Sequence, residues 1–259
     1  MSTILFDKIV FGPIHSRRLG ISLGINLLPK DGKLCSFNCI YCECGLNEER
    51  RTHSKMPTRA DVRIALEEKL RFMQKEGVGP DVITFAGNGE PTMHPEFAGI
   101  IEDTLAIRDH YFPKAKIAVL SNSTMLRKEE VFLALNKIED NILKLDSVLD
   151  SRIQQVNAPN VSSFNFEGLL KDLCRFEGNL IIQTMFLKGE LNGQYFDNMT
   201  EAEIEGWIAA LKQIRPKQVM IYTIDRETPI KALMKATKLE LDSIADRARK
   251  EGFDVTVSY

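Results

Sequence analysis

Six short apolar, β-branched runs alternate with amphipathic segments along the chain: Ile21 to Leu28, Val82 to Phe85, Ile117 to Leu120, Ile142 to Leu145, Leu180 to Phe186 and Val219 to Ile224. This alternation limits the possible folds more than any other feature. Runs that are apolar on both faces belong to parallel strands covered by helices, and parallel neighbours need right-handed crossovers. The expected fold class is α/β, a parallel sheet of six strand-helix units curled into a full or partial barrel with the helices outside. In such a fold the polar residues at the C-terminal ends of the strands are the ones to inspect for chemistry.

The helical segments carry start signals. Thr58 precedes Asp61 and the stripe Val62, Leu66, Leu70 and Met73. Thr200 precedes Glu203 in a capping box ahead of Ile204, Trp207, Ile208 and Leu211, and Pro216 ends that helix. Further stripes fall at Val131, Ala134, Leu135 and Ile138, at Phe166, Leu169, Leu170 and Leu173, and at Leu241, Ile244, Ala245 and Ala248. The last of these segments, around Glu240, Arg247 and Lys250, reads as a solvated face. Val255, Val257 and Tyr259 alternate, which predicts a terminal strand at the sheet edge or over one end of the barrel. The 259 residues show no Pro/Gly/Ser-rich linker, so one domain over 1–259 is expected, with 230–259 as a short C-terminal extension.

Four of the five cysteines, at 35, 39, 42 and 44, fall within ten residues. Asp7 interrupts the apolar N-terminal stretch, and no apolar run reaches the ~18 residues that span a bilayer. A cytoplasmic, reducing location is therefore expected, where crowded cysteines bind metal rather than form disulfides. Cys35-Ser-Phe-Asn-Cys39-Ile-Tyr-Cys42 follows the first predicted strand, between Gly32 and Gly45, and so lies on a loop at that strand's C-terminal end. Soft thiolates favour zinc, copper(I) or iron-sulfur centres. In the zinc reading the protein is a structural binding module, and Cys44 supplies a fourth thiolate or His53 a nitrogen. In the iron-sulfur reading, three thiolates on a four-iron cluster leave one iron open. Cys44 is then a bystander, a spare ligand or a catalytic thiol.

This spacing, with Tyr41 directly before the third cysteine, resembles the signature of the radical S-adenosylmethionine superfamily. The resemblance implies a partial (β/α)6 TIM-like barrel with a [4Fe-4S] cluster on Cys35, Cys39 and Cys42. It also implies S-adenosylmethionine chelated by the open iron, Tyr41 near the adenine, and reductive cleavage to a 5'-deoxyadenosyl radical that abstracts hydrogen from a substrate. Gly87-Asn88-Gly89-Glu90-Pro91-Thr92, after the second strand, is similar to the family's glycine-rich stretch that binds the methionine ammonium. Gly87 and Gly89 would permit close backbone approach there, and Glu90 would pair with the ammonium. Ser121 and Asn122, Lys144 and Asp146, Gln183, and Tyr222 fall in or near the ends of later strands, where related enzymes contact ribose, carboxylate or substrate. Local alternatives stand beside these roles: a cap or turn for Ser121 and Asn122, an internal ion pair for Lys144 and Asp146, a core hydrogen bond for Gln183 and Tyr222.

Within the superfamily the chain is similar to iron-sulfur oxidoreductases related to the tRNA wyosine-base enzymes, through Gly12-Pro13, Ser16-Arg17-Arg18-Leu19-Gly20, the glycine-rich stretch and Ile221-Tyr222-Thr223. Those enzymes carry a second cluster on upstream cysteines. No cysteine precedes Cys35, so the tricyclic-base reaction is not expected. Two substrate classes fit the resemblance: a modified nucleoside in tRNA, and a glycyl site in a protein. A net charge of -2 provides no global field for RNA, and Arg17 and Arg18 read either as a phosphate or carboxylate fork or as a solvated turn. With no second cluster or flavin motif, the electron is expected from an external flavodoxin or ferredoxin. Cys174 reads as a small buried hydrophobe beside Leu170 and Leu173. None of His15, His53, His94 and His110 has metal-pair spacing; His94 follows the glycine-rich stretch closely enough to support it, and otherwise reads as a surface or helix-start residue.

Overall fold

A computed structural model describes residues 4–16, 19–48 and 53–259. Arg17 and Arg18, the arginines of the proposed fork, lie outside the described residues. The main sheet has eight strands in the order β1-β2-β3-β4-β5-β6-β9-β11. They are β1 (Val10–Ser16), β2 (Gly20–Ile25), β3 (Val82–Phe85), β4 (Lys116–Ser121), β5 (Asp140–Lys144), β6 (Ile181–Met185), β9 (Gln218–Tyr222) and β11 (Val255–Ser258). From β2 to β11 every neighbour is parallel, while β1 is antiparallel to β2. The sheet is an open half-barrel whose edges are β1 and β11. The six apolar runs form β2, β3, β4, β5, β6 and β9, and the C-terminal alternation forms the edge strand β11.

A second, three-stranded sheet was not expected. It consists of β7 (Leu187–Leu191), β8 (Gln194–Asp197) and β10 (Leu233–Lys235), in the order β10-β7-β8. Its hairpin turns at Asn192 (φ 52) and Gly193 (φ 76). An Asn-Gly pair is the residue choice that a two-residue hairpin with positive φ at both positions demands. The flanking residues Lys188, Glu190, Gln194 and Tyr195 make this hairpin too polar to stand out as a buried strand pair.

Helices α1 (Arg59–Lys75), α2 (Phe97–Tyr111), α3 (Glu129–Asn136), α4 (Asp150–Val156), α5 (Phe166–Cys174), α6 (Glu201–Ile214) and α7 (Lys238–Lys250) are the α-helices of the described residues, with a 3-10 turn at Pro91–Met93. Thr58 and Asp61 form the full reciprocal box at the start of α1, and Val62, Leu66, Leu70 and Met73 are its buried face. Each of these side chains contributes about 1.5–3 kcal/mol by leaving water. At α6 only half of the expected box forms. Thr200 accepts from the Glu203 N–H, but the Glu203 side chain turns inward. There it accepts from Ser147 Oγ at 2.8 Å and from the Val148 N–H at 3.2 Å. Buried donors on the loop after β5 outcompete the cap N–H, which can turn to water instead. The α7 face is not simply solvated either: Glu240 caps Thr237 and pairs with Lys188 of β7 at 2.6 Å.

The pleat of the main sheet separates two sets of side chains. Ile83, Phe85, Ile117, Val119, Leu143, Ile182, Val219 and Ile221 point outward into the main core with the helices. Val82, Ala118, Ile142, Ile181 and Met220 form a smaller apolar layer inside the half-barrel. Two residues further along each strand, that inner face turns polar.

Candidate functional site

Period-two geometry places the site. Counting two residues on from the inner apolar layer gives Thr84, Leu120, Lys144, Gln183 and Tyr222 on the same face. In register, Lys144 lies beside Gln183, and Met185 beside Tyr222. Leu120, Lys144, Gln183 and Tyr222 line a cavity of about 230 Å³ at the C-terminal ends of the strands. Cys35, Cys39 and Cys42 line the same cavity, with Tyr41 and Cys44. Gly87, Gly89, Glu90, Ser121 and Asn122 complete its wall. Asn88 and Asp146 do not reach it.

The cysteine loop is pinned at both ends. At its start it pairs with the glycine-rich stretch, as the Leu34 N–H donates to Asn88 O at 2.9 Å and the Glu90 N–H to Leu34 O at 3.1 Å. The approach is close enough that a Cβ on Gly89 (φ 138) would lie 1.9 Å from Leu34 O, so only glycine fits. Further along, the Asn38 N–H donates to Asn157 O at 2.8 Å and the Ile40 N–H to Val156 O at 3.0 Å. These are terminal carbonyls of α4, which have no partner within their own helix. The loop satisfies them and is held by them.

Cys35 and Cys39 each have a side-chain amide donor. Asn122 Nδ2 lies 3.5 Å from Cys35 Sγ, and Asn157 Nδ2 lies 3.5 Å from Cys39 Sγ. Cys44 Sγ donates to Gly87 O at 3.4 Å, and Lys33 Nζ, two residues before Cys35, donates to Gly45 O at 2.8 Å. Burial, reinforced by Glu90 and Cys39, pushes the Cys35 thiol up to about 12. Burial also raises Cys39, with Lys144 opposing it. Interaction between the two thiols lowers Cys42 and, together with burial, raises Cys44.

Glu90 is 2% exposed. Its Oε1 accepts from Thr92 Oγ1 at 2.5 Å and Ser121 Oγ at 2.9 Å, and its Oε2 from the Asn122 N–H at 2.6 Å. Burial raises its pKa and these donors oppose the rise. Ser121 and Asn122 are thus braces for Glu90 and Cys35 that also face the cavity. The Asn88 side chain turns away, accepting from the Phe6 N–H at 2.8 Å and donating to Phe6 O at 2.9 Å and Pro29 O at 2.8 Å. It straps the N-terminal segment to the glycine-rich stretch and offers nothing to a ligand in the cavity.

Tyr41, Lys144 and Asp146 form one buried network. The Tyr41 hydroxyl donates to Asp146 Oδ2, and Lys144 Nζ donates to Tyr41 Oη at 2.8 Å and lies 3.4 Å from Asp146. Asp146 also accepts from the Met185 N–H at 2.9 Å and Asn157 Nδ2 at 2.7 Å. Burial opposes the Lys144 charge, but Asp146 and Tyr222 outweigh it and its pKa is raised. The ion pair anticipated for Lys144 and Asp146 is present, and it orients Tyr41 between two of the cysteines.

Lys33 and Asn157 were not singled out by sequence. Asn157 lies more than a hundred positions from the thiols it serves and belongs to no motif. Lys33 sits two residues before Cys35, and its position inside the Gly32 to Gly45 loop was the available signal. His94 is buried at 4% exposure, not on the surface. Its Nδ1 accepts from the Glu96 N–H at 3.1 Å, so Nε2 carries the proton and donates to Pro57 O at 2.8 Å. Cys174 is half-buried at the end of α5, away from the cavity.

No family model matches the chain. Over 241 residues it is 31% identical to a UPF0026 protein of Methanocaldococcus jannaschii, covering 90% of this chain and 68% of that one. The chain belongs to the UPF0026 family. Among solved structures, the UPF0026 chain superposes on SuiB of Streptococcus suis bound to S-adenosylmethionine with a TM-score of 0.65 at 13% identity, covering 90% of this chain and 50% of SuiB. It superposes on TYW1 with a lysine-pyruvate adduct bound with a TM-score of 0.60 at 16% identity, covering 90% of this chain and 74% of that one. The fold of this UPF0026 protein is therefore the partial barrel of the radical S-adenosylmethionine enzymes, and the chain spans half the length of SuiB. Among the described residues, no helix is long and apolar enough to cross a membrane.

Proposed function

We propose that this UPF0026 protein is a radical S-adenosylmethionine enzyme that holds a [4Fe-4S] cluster on Cys35, Cys39 and Cys42. The observation that carries the reading is the shared cavity: three thiols, two glycines and a buried glutamate meet at the C-terminal ends of parallel strands. The donor set fits such a group, because its ligating atoms are soft sulfurs from one loop.

When bound, the cluster supplies one electron that cleaves S-adenosylmethionine to methionine and a 5'-deoxyadenosyl radical, which abstracts hydrogen from the substrate. The protein's part is to bind and orient. Gly87 and Gly89 leave backbone accessible to the methionine end, and Glu90, braced by Ser121 and Asn122, supplies negative charge for its ammonium. Lys144 and Tyr222 present hydrogen-bond donors on the facing wall, and Gln183 adds an amide between them. Leu120 and Phe37 supply apolar surface that limits water at the reacting end. The electron comes from an external flavodoxin or ferredoxin. The substrate belongs to one of two classes, a tRNA nucleoside or a protein glycyl site.

The test is anaerobic purification with iron and sulfide analysis, then assay of the same sample for 5'-deoxyadenosine after S-adenosylmethionine and dithionite are added. About four irons per chain with nucleoside product is the expected result. Zinc without iron, and no product, would overturn the reading in favour of a structural metal protein.

A further inference from the structure

Two buried asparagines hold their amides against two of the three sulfurs assigned to the cluster. Asn122 Nδ2 lies 3.5 Å from Cys35 Sγ, and Asn157 Nδ2 lies 3.5 Å from Cys39 Sγ. Neither amide is free to turn over. Asn122 Oδ1 accepts the Thr124 N–H at 3.1 Å and Thr124 Oγ1 at 2.8 Å, and only the oxygen end of an amide can accept a backbone N–H. The nitrogen end therefore faces Ser36 Oγ, at 2.9 Å, and Cys35. Asn157 Nδ2 donates to Asp146 Oδ2 at 2.7 Å and lies 3.4 Å from Tyr41 Oη. Asp146 Oδ2 also accepts from the Tyr41 hydroxyl, so only the nitrogen end of Asn157 suits that carboxylate. The backbone is fixed as well. Asn157 is the C-cap of α4, its N–H donates to Ile153 O at 2.8 Å, and its carbonyl accepts the N–H of Asn38 at 2.8 Å. Asn38 directly precedes Cys39, so the amide and the sulfur it faces are tied together by one short bridge between α4 and the cysteine loop.

Both side chains are buried. A buried N–H aimed at a sulfur is a fixed dipole with its positive end toward that atom, and the low local dielectric strengthens its effect. Reduction of a cluster adds negative charge that spreads onto its ligating sulfurs. Donors aimed at those sulfurs stabilise the reduced form more than the oxidised one, which raises the potential. We infer that Asn122 and Asn157 are positioning residues that act through Cys35 and Cys39, raising the reduction potential of the cluster by one hydrogen bond to each sulfur. This inference rests on the cluster reading above. It gives the two amides a task in electron uptake, separate from the brace that the Asn122 backbone N–H provides to Glu90.

The experiment is a redox titration of the anaerobic, cluster-loaded protein beside Asn157→Leu and Asn122→Leu, which nearly keep the side-chain volume and remove the N–H groups. Each variant is expected to keep its iron and to lower the reduced-to-oxidised ratio at fixed ambient potential by about threefold to tenfold, the range that one net hydrogen bond supplies. A tenfold change is about 59 mV for a one-electron couple. A merely structural role leaves the potential of the iron-loaded fraction unchanged, and that outcome overturns the inference. Where a variant loses its iron or does not fold, pulsed EPR of the unmutated protein decides, with 15N placed only in the side-chain amides of asparagine. Amide nitrogen coupled to the reduced cluster supports the inference, and no coupling overturns it. A wild-type protein without iron defeats the cluster reading itself.

Discussion

Glu90 Oε2 accepts the backbone N–H of Asn122 at 2.6 Å, so a carboxylate following β3 is anchored to the chain just past the end of β4. Its other oxygen takes donors from Thr92 and Ser121. Both oxygens act as acceptors, and a glutamine cannot reproduce that. Glu90→Gln must turn its amide toward one of these donors and is expected to destabilise the protein by about 1–3 kcal/mol. It also removes the negative charge facing the cavity, so S-adenosylmethionine affinity should fall at least tenfold, about 1.4 kcal/mol. Thermal unfolding with anaerobic calorimetry separates the two effects. Lower stability with unchanged affinity would make Glu90 a brace alone.

Gly89→Ala tests the close approach of the two loops. The added methyl would meet Leu34 O at 1.9 Å, in a backbone conformation that L-residues avoid. The Leu34 to Gly89 bridge should open, and with it the alignment of the cysteine loop. The expected result is a loss of several kcal/mol, read from denaturant midpoints, together with poor iron retention. Near wild-type stability would show that the bridge is slack.

Cys39→Ala and Cys174→Ala form a matched pair. The first removes a buried thiol that faces both the cavity and Asn157, and the second a half-buried thiol at the end of α5. Iron and sulfide content should collapse in Cys39→Ala and stay close to wild type in Cys174→Ala. Equal losses would refute the ligand assignment.

Glu240 controls part of the acid stability. The hydrogen bond from Lys188, with those from Thr237, holds its carboxyl down to about 2. A depressed folded-state value means that the unfolded chain binds the proton first as pH falls. The stabilisation is therefore complete above the ordinary glutamate value of about 4.3 and is lost as pH falls toward about 2. Glu240→Gln should lower stability at neutral pH and flatten the decline between those limits, measured by urea unfolding at each pH. Parallel curves for the two proteins would show that the contact contributes nothing.

Much of the cavity wall was legible in the sequence, for local reasons. The cysteine spacing and the Gly87 to Glu90 stretch are contiguous, and contiguous residues reach one site without help from the rest of the fold. Lys144, Gln183 and Tyr222 were reached through strand ends, since a two-residue period selects the face once the strand is located. Asn88 shows where that reasoning fails. Its neighbours Gly87 and Gly89 line the cavity, but its side chain is claimed by Phe6 and Pro29, and no local pattern encodes that strap. Glu203 fails in the same way: a capping box fits the spacing, yet the buried Ser147 and Val148 donors take the carboxylate.

By itself, the sequence determined the alternation that makes a parallel sheet, the caps of α1 and α6, and the loop that offers three thiols. Each depends on residues a few positions apart, where hydrophobic period and backbone geometry suffice. Only the tertiary structure decided that Asn122 and Asn157 face the sulfurs, that α4 closes its end on the cysteine loop, and that a hairpin and β10 add a second sheet. Those contacts join segments brought together by the curling of the sheet. Their energies come from burial and from polar groups that must find partners once water is excluded, and both are properties of the assembled fold.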